Sequence, residues 1–162
     1  MVGMFWEEWD IGAEFQTASR TITEADIVNF SGISGDYNPL HIDEEFCKQT
    51  QFGTRIAHGP LVYSIAAGLL FQLHLYDDTL IAFLGFDSLK FTLPVKIGDT
   101  VRVRVEVLEK RETSKPDRGV MKRLLQVLNQ RDEVVQEGVQ ACLLYTSPSP
   151  RDLSTSRMPS SA

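Results

Sequence analysis

The feature that most constrains the fold is an uncharged apolar segment that runs from Pro60 to Tyr76. Its apolar residues fall on every side of a 3.6-residue period, which predicts a long helix buried on most of its surface. Pro60 suits the first position of such a helix, because a backbone N–H there has no helical partner. Other apolar elements must therefore pack around this helix.

After residue 79 the hydrophobic period changes to two, which predicts strands. The clearest strand is TVRVRVEVLEK, residues 100–110, in which valines alternate with polar residues. Consecutive strands joined by short turns form an antiparallel sheet, and the apolar helix is the element long enough to cover one face of it. We therefore expect an α+β fold in which an antiparallel sheet of about five strands wraps a long buried helix. The predicted strands are residues 14–22, Leu80–Leu93, Thr100–Glu112, Val120–Asn129 and Val134–Leu144.

The segment before the apolar helix predicts short helices and a loop. Thr23 followed by acidic residues is typical of a helix start, so a helix is expected over residues 24–32. Residues 33–42 are rich in turn-forming residues and predict a loop. Asp43 can cap a second short helix over residues 44–50.

Composition narrows the class of protein and of partner. The chain has 162 residues, 43% hydrophobic and 23% charged, which suits one globular domain. No apolar run is long enough for a membrane span, and the acidic start MVGMFWEEWD does not resemble a secretory signal. A net charge of −6 argues against a nucleic-acid-binding surface. Cys47 and Cys142 give neither a disulfide framework nor a metal-binding spacing, so we expect a cytoplasmic protein.

Residues 142–162 differ in composition from the rest of the chain. The string CLLYTSPSPRDLSTSRMPSSA is rich in serine and has no hydrophobic period after Tyr145, which is typical of a disordered tail. Its first part, CLLYTSPSPRD, also resembles the translation of a transposase-type sequencing-library adapter, which would make the tail artefactual. We therefore expect one domain over residues 1–141, although Cys142–Tyr145 are apolar and could complete the last strand.

Chemistry-bearing residues concentrate in FSGISGDYNPLHIDEEF, residues 30–46. Asp36 and His41 lie five positions apart on a turn that can aim both side chains into one cavity. A carboxylate and an imidazole held together can activate a water and keep a second proton within reach, as the addition of water to a double bond requires. The alternative is structural: Asp36 would form an Asx turn and His41 would bond to the backbone.

A second candidate site is the start of the apolar helix, at His58-Gly59-Pro60. Helix N-termini present unpaired N–H groups with a partial positive charge. Since Pro60 has no N–H, the donors would be Gly59 and residues from Leu61 onward. Such donors could stabilise an enolate-like oxygen on a thioester carbonyl, and a glycine lets the substrate approach closely. A helix start without a function is the alternative.

The run SGDYNPLHID, with Phe30 before it and AHG after it, resembles the hydratase motif of MaoC-like dehydratases and (R)-specific enoyl-CoA hydratases. The resemblance extends over residues 5–141 and implies the hot dog fold. It implies that Asp36 and His41 are the catalytic pair, that Gly59 is the oxyanion donor and that Asn38 holds the loop in shape. It also places His58 and Ser64 in the substrate-binding region.

The resemblance implies a hydro-lyase that adds water to a 2-enoyl-CoA thioester, giving an (R)-3-hydroxyacyl thioester, or that catalyses the reverse reaction. It further implies an acyl-CoA substrate, no bound cofactor and a homodimer or higher homo-oligomer. One alternative is a hot dog acyl-CoA thioesterase, although residues 60–76 contain no Asp or Glu. Another is a non-catalytic acyl-binding hot dog domain, which we would expect to have lost Asp36 or His41. The length, branching and carboxylation of the acyl chain stay open.

Other residues give weaker signals. A metal site of His41, Asp43 and His58 explains the motif less well than the catalytic pair does, so no metal is predicted. His74 is predicted to lie in the core or at an interface. Six basic residues are possible contacts for coenzyme A phosphates, with ordinary surface charge as the alternative for each: Lys48, Arg55, Lys90, Lys96, Arg102 and Arg118.

Overall fold

A computed structural model describes residues 1–148 of the chain. A short 3₁₀ turn, Trp6–Glu8, precedes four helices and six strands. The helices are α1 (Glu24–Ser34), α2 (Pro39–Ile42), α3 (Glu44–Cys47) and α4 (Gly59–Phe71). The strands are β1 (Glu14–Gln16), β2 (Arg20–Thr21), β3 (Leu80–Phe91), β4 (Thr100–Glu112), β5 (Arg118–Leu128) and β6 (Val134–Tyr145). No helix within this part of the chain is both long and apolar enough to cross a membrane.

All six strands belong to one antiparallel sheet with the order β1-β4-β5-β6-β3, and β2 pairs with β4 beside β1. The alternation that predicted β4 is confirmed, because its four alternating valines, Val101, Val103, Val105 and Val107, are all buried. They join the buried residues of α4 in one hydrophobic core. The predicted α+β architecture, an antiparallel sheet covering a helix, is therefore confirmed.

Helix α4 is shorter and more exposed than its sequence predicted. It ends at Phe71, and a turn with left-handed backbone at His74 and Asp78 follows it. This turn brings Tyr76 back to stack on Trp9, with ring centroids 5.0 Å apart, so the apolar residues after Phe71 belong to the core without being helical. One face of α4 packs in the core, whereas its opposite face is exposed. The sheet covers only the first of these faces. The expectation that most of the surface of α4 is buried was therefore wrong.

Two further local expectations need correction. Of the two alternatives for His74, the core is wrong, since His74 is exposed and its Nδ1 lies 2.7 Å from Oδ2 of Asp77, whereas a place at an interface stays a prediction. The predicted first strand, 14–22, is divided into β1 and β2, with residues 17–19 between them.

Strand β6 continues through Tyr145, so the first residues of the predicted tail are paired with β3 and β5. Cys142 and Leu144 point into the core and are buried. The expected disorder therefore does not extend to residues 142–145. The adapter origin of the tail stays a prediction, and residues 149–162 lie outside the described part of the chain.

The segment that carries the motif is more helical than expected. Thr23 and Asp26 form a capping box that starts α1, and Gly35, with a φ of 76°, ends it. The predicted loop 33–42 contains α2, which begins with a proline at its first position. These two helices meet at Gly35-Asp36-Tyr37, so the turn between them is held at both ends.

Candidate active site

The turn between α1 and α2 fixes the carboxylate of Asp36 through local hydrogen bonds. The Asn38 N–H donates to Oδ1 of Asp36 at 3.1 Å, and the Leu40 N–H donates to Oδ1 of Asn38 at 3.0 Å. The first bond uses Oδ1 of Asp36, so Oδ2 takes no part in it. The second caps α2, which carries His41. Asn38 thus shapes the loop, in line with the role that the motif implied.

Asp36 and His41 face each other. Oδ2 of Asp36 lies 3.8 Å from Nε2 of His41, which is too long for a direct hydrogen bond but short enough for one water oxygen to bond to both atoms. The other ring nitrogen, Nδ1, lies 2.7 Å from the carbonyl oxygen of Ile56. Since a carbonyl only accepts, Nδ1 carries a proton, and Nε2 is the nitrogen that can exchange one. His41 is buried, whereas half of the Asp36 side chain is exposed.

Arg55 holds the segment that supplies the Ile56 carbonyl. Its guanidinium lies 2.8 Å from Oε1 of Glu24 at the start of α1 and 3.0 Å from Oε2 of Glu44 in α3. Hydrogen bonds from Thr54 and Arg55 lower the pKa of the Glu44 carboxyl, so it stays ionised in this arrangement. Arg55 therefore ties the segment that orients the His41 ring to both α1 and α3.

His58 lies behind the pair and does not reach the cavity described below. It is 1% exposed, and its ring stacks on that of His41 at 3.7 Å between centroids. Its Nε2 lies 3.1 Å from the carbonyl oxygen of Asp36 and 3.3 Å from Oγ of Ser31. Burial, followed by the neighbouring His41, lowers the pKa of His58, so the ring is neutral and donates to the Asp36 carbonyl. His58 therefore contacts both members of the pair, and its predicted substrate-binding role stays a prediction.

Gly59 is the first residue of α4, and the first intrahelical bond runs from the Val62 N–H to the His58 carbonyl. The N–H groups of Gly59 and Leu61 therefore have no partner inside the helix. A Cβ at Gly59 would lie 3.1 Å from carbons of the Phe91 ring, closer than ordinary van der Waals contact. A side chain would fit at this position only if the ring of Phe91 shifted by a few tenths of an ångström.

A cavity of about 300 Å³ opens beside this helix start. It is lined by Gly59, Val62, Gln136 and several apolar residues of the flanking loops, and the Gln136 amide donates to the Gly59 carbonyl at 2.7 Å. Asp36 and His41 are not part of its lining, whereas Ile56, whose carbonyl oxygen contacts Nδ1 of His41, is. The segment from Ile56 to Gly59 therefore connects the pair with a space of ligand size.

Ser64 does not line the cavity. It lies on the exposed face of α4, and its hydroxyl donates to the Pro60 carbonyl at 2.8 Å. The side chain is one helical turn beyond Gly59 but points away from the sheet. The expectation that Ser64 lines a substrate tunnel is therefore not met within one chain.

The family model described as MaoC like domain matches residues 8–127, which include Asp36, Asn38, His41, His58 and Gly59 but not Gln136. The chain belongs to the MaoC-like family.

Several relatives of this MaoC-like chain have named activities. It is 36% identical over 107 residues to a 3-hydroxybutyryl-CoA dehydratase of Methylorubrum extorquens, and the match covers 65% of each protein. It is 42% identical over 100 residues to an (R)-specific enoyl-CoA hydratase of Rhodospirillum rubrum, covering 58% of this chain and 65% of the relative. A match to Protein MaoC of Klebsiella aerogenes, 41% identical, covers 71% of this chain and 33% of that protein. The chain thus spans less than two thirds of the length of these relatives.

Solved structures show the fold of the family. A monoamine oxidase regulatory protein from Archaeoglobus superposes with a TM-score of 0.85 at 38% identity, covering 91% of this chain and 98% of that one. A conserved hypothetical protein of Mycobacterium tuberculosis with a double hot dog fold gives a TM-score of 0.80 at 24% identity, covering 91% of this chain and 46% of that one. The predicted hot dog fold is confirmed.

One group of three side chains in this MaoC-like site has the composition of a metal site. The nearest ligand atoms of Asp36, His41 and His58 lie within 4.8 Å of one another. However, the two imidazole rings are stacked with 26° between their planes, so their lone pairs run side by side. A metal ion needs ligand lone pairs that converge on it. The stacked geometry therefore does not favour metal binding.

Most of the basic residues considered for coenzyme A bind carboxylates of the chain itself. Arg55 bridges two glutamates, and salt bridges engage Lys48, Arg102 and Arg118 as well. Lys90 and Lys96 form no salt bridge within residues 1–148. They adjoin Phe91 and Val95, which line the cavity.

Four site residues carried no signal that the sequence analysis used. Ile56 orients His41, Ser31 contacts His58, and Phe91 and Gln136 both reach Gly59. Gln136 offered one clue, since it is a polar residue at an inward position of an alternating strand. The others become recognisable only when distant segments meet.

Proposed function

We propose that the chain is a hydro-lyase that adds water across the C2–C3 double bond of a 2-enoyl-CoA thioester or removes it from a 3-hydroxyacyl-CoA. One observation carries the proposal: Oδ2 of Asp36 and Nε2 of His41 face each other at 3.8 Å, and the His41 ring stacks on that of His58, the residue that directly precedes α4 and its unpaired N–H groups. This arrangement offers one place for a water and another for the thioester oxygen. The named activities of the relatives support the same reaction.

The proton balance of hydration suits a pair that holds one exchangeable proton. As the water oxygen bonds to C3, one member of the pair takes its proton, and the other member gives a proton to C2. The pair ends with the proton on the opposite member, and transfer between the two resets it. Because both groups act from one side of the site, the addition is syn, and we propose the (R)-3-hydroxyacyl product.

The Gly59 N–H is the proposed donor to the thioester oxygen. Negative charge develops on this oxygen while C3 is attacked, and an N–H at a helix start is aimed at such charge without reorganisation. The lack of a side chain at Gly59 lets the carbonyl come close. Removal of one donor of this kind in comparable sites lowers kcat by about 10²–10³-fold.

The two alternatives have less support. A thioesterase that uses a carboxylate on the central helix finds none here, because α4 contains no Asp or Glu. A non-catalytic acyl-binding domain has no need for a carboxylate and an imidazole held by separate sets of hydrogen bonds. Crotonyl-CoA distinguishes the three: hydration removes the enoyl absorbance, thioester hydrolysis releases free thiol, and a binding domain does neither.

Variants of the pair test the proposal directly. We expect Asp36→Asn and His41→Gln each to lower turnover of crotonyl-CoA by about 10²–10⁴-fold while circular dichroism shows a folded protein. His74→Asn is the matched control, because His74 is an exposed histidine with left-handed backbone, which asparagine tolerates. Hydration at the wild-type rate by either folded variant would remove that residue from the mechanism.

The proposed function extends to the rest of the ligand and to the assembly. Lys90 and Lys96 are candidates for the coenzyme A phosphates, since they flank the cavity. We also infer a homodimer formed through β3, a twelve-residue strand at the edge of the sheet with exposed Phe83, Leu84 and Phe86. A cytoplasmic location fits the acyl-CoA substrate and the two free cysteines.

A further inference from the structure

The inner face of the sheet holds a charged side chain for which the proposed mechanism has no use. Arg123 lies on β5 in line with the buried residues Met121, Leu125 and Val127, and it is 4% exposed. A guanidinium keeps its charge at any pH at which the protein is folded. A cation in such a place is costly unless an anion or a full set of acceptors accompanies it.

Arg123 has only part of such a set. Its Nε and Nη2 donate to Oε1 of Gln140 on β6, at 3.1 and 3.0 Å. Its Nη1 is buried without a hydrogen-bond partner, and within residues 1–148 no carboxylate forms a salt bridge with it. The guanidinium carbon lies 4.8 Å from the centroid of the Tyr76 ring, a contact that supplies no countercharge.

The groups around Arg123 add further donors. The Gln140 amide uses its NH₂ group to donate to the Tyr63 hydroxyl at 3.2 Å, which leaves the hydrogen of that hydroxyl free. The Tyr76 hydroxyl is buried and also has no partner. The unused groups are thus two N–H bonds of Nη1 and two phenol hydroxyls, all of which can donate. A carboxylate, with two acceptor oxygens and a negative charge, complements such a set.

This cluster lies along the same two elements that line the cavity. Gln136 and Gln140 are both buried on β6 and lie four residues apart, on one face and about 13 Å from each other. Gly59 and Tyr63 are likewise one turn apart on α4. An acyl chain whose thioester lies at Gly59 and which continues between α4 and β6 would therefore arrive at Tyr63 and Gln140.

We propose that the Arg123 guanidinium and the Tyr63 hydroxyl, both held in place by Gln140, bind a carboxylate at the far end of the acyl chain, so that the substrate is an acyl-CoA with a second, terminal carboxylate. The inference rests on the proposed function for the position of the thioester. A chain that ends in a methyl group would leave the guanidinium buried and unpaired, and the site therefore disfavours it. Arg123 is a specificity-determining residue in this scheme and takes no part in proton transfer.

Equilibrium binding tests this inference separately from turnover. Saturated acyl-CoA ligands of equal chain length, one ending in a methyl group and one in a carboxylate, are titrated calorimetrically against the wild-type protein over short and medium lengths. We expect the carboxylate ligand of the best-fitting length to bind about 10–100-fold more tightly, the range for a hydrogen-bonded charge pair. Arg123→Met should abolish this preference and leave the affinity for the neutral ligand unchanged or higher.

Two further variants keep the test decisive. Arg104→Met is the matched control, because Arg104 lies on β4 and donates to Gln126 on the adjacent strand; it should keep the preference. If Arg123→Met does not fold, Tyr63→Phe removes one donor, and we expect it to reduce the preference severalfold. Equal or weaker binding of the carboxylate ligand by the wild type would overturn the inference. An undiminished preference in Arg123→Met would also overturn it, as would one in Tyr63→Phe if Arg123→Met does not fold. Hydration of crotonyl-CoA and of a 2-enoyl-CoA that ends in a carboxylate is measured in parallel, and hydration of neither would count against the hydro-lyase alone.

Discussion

The replacement Gly59→Ala separates the catalytic use of the α4 start from its structural use. The added Cβ would meet three carbons of the Phe91 ring at 3.1, 3.1 and 3.2 Å, a few tenths of an ångström inside ordinary contact. Phe91 is 54% exposed, so its ring can shift outward by that amount. We expect the loss in the free energy of unfolding to be below about 1 kcal/mol, with part of it offset because alanine is the better helix former.

The effect of Gly59→Ala on the rate should be much larger than the effect on stability. A methyl group beside the Gly59 N–H keeps the thioester oxygen from reaching it, so we expect kcat/KM for crotonyl-CoA to fall by about 10²–10³-fold. Adding Phe91→Leu should restore the stability but not the rate. Gly68→Ala on the same helix is the control, because a Cβ at Gly68 meets nothing within 4 Å. The reasoning is refuted if Gly59→Ala retains a third or more of the wild-type kcat/KM, or if Phe91→Leu restores the rate.

Two other variants test the pKa of His58 and the proposed homodimer. Since burial lowers the pKa of His58 in the folded state, the unfolded chain takes up the proton first as the pH falls below about 6.5, and the wild type loses stability there. In urea unfolding, His58→Gln should lose less stability than the wild type between about pH 7.5 and 5, and parallel curves would contradict the lowered pKa. In light scattering coupled to gel filtration, Leu84→Lys should give a monomer, whereas Val28→Lys, at the same exposure of 52%, should not. A dimer that survives Leu84→Lys would place the interface elsewhere.

Local patterns were sufficient where a property depends on neighbours in the chain. The alternation of β4 was predicted with its bounds, because one face of that strand is buried along the whole core. The pairing of Asp36 with His41 was predicted from a separation of five residues, since a turn and one short helix are enough to bring them together. Asn38 was expected to shape the loop, and its two hydrogen bonds both stay within that turn.

The features that the sequence analysis did not predict depend on contacts between residues that lie far apart in the chain. The apolar pattern continues to Tyr76, but the helix ends at Phe71 because Tyr76 packs on Trp9, which lies far away in the chain. The contact of the His58 ring with the Asp36 carbonyl was not predicted either. The orientation of the His58 ring is not encoded in any periodicity of the sequence. It depends on polar groups that come near the ring only after folding, the Asp36 carbonyl and the Ser31 hydroxyl.

The proposed homodimer and the proposed catalysis are connected through the size of the cavity. At about 300 Å³, the space beside Gly59 is at the lower end of the range for ligand pockets, whereas an acyl-CoA is a long ligand. Phe91, the last residue of β3, belongs to both this edge strand and the cavity wall. A second copy that covers β3 would therefore also extend the wall of the site. It follows that a variant that breaks the dimer without touching Asp36 or His41 should raise KM more than it lowers kcat, because it removes enclosure of the substrate and leaves the proton-transfer pair in place.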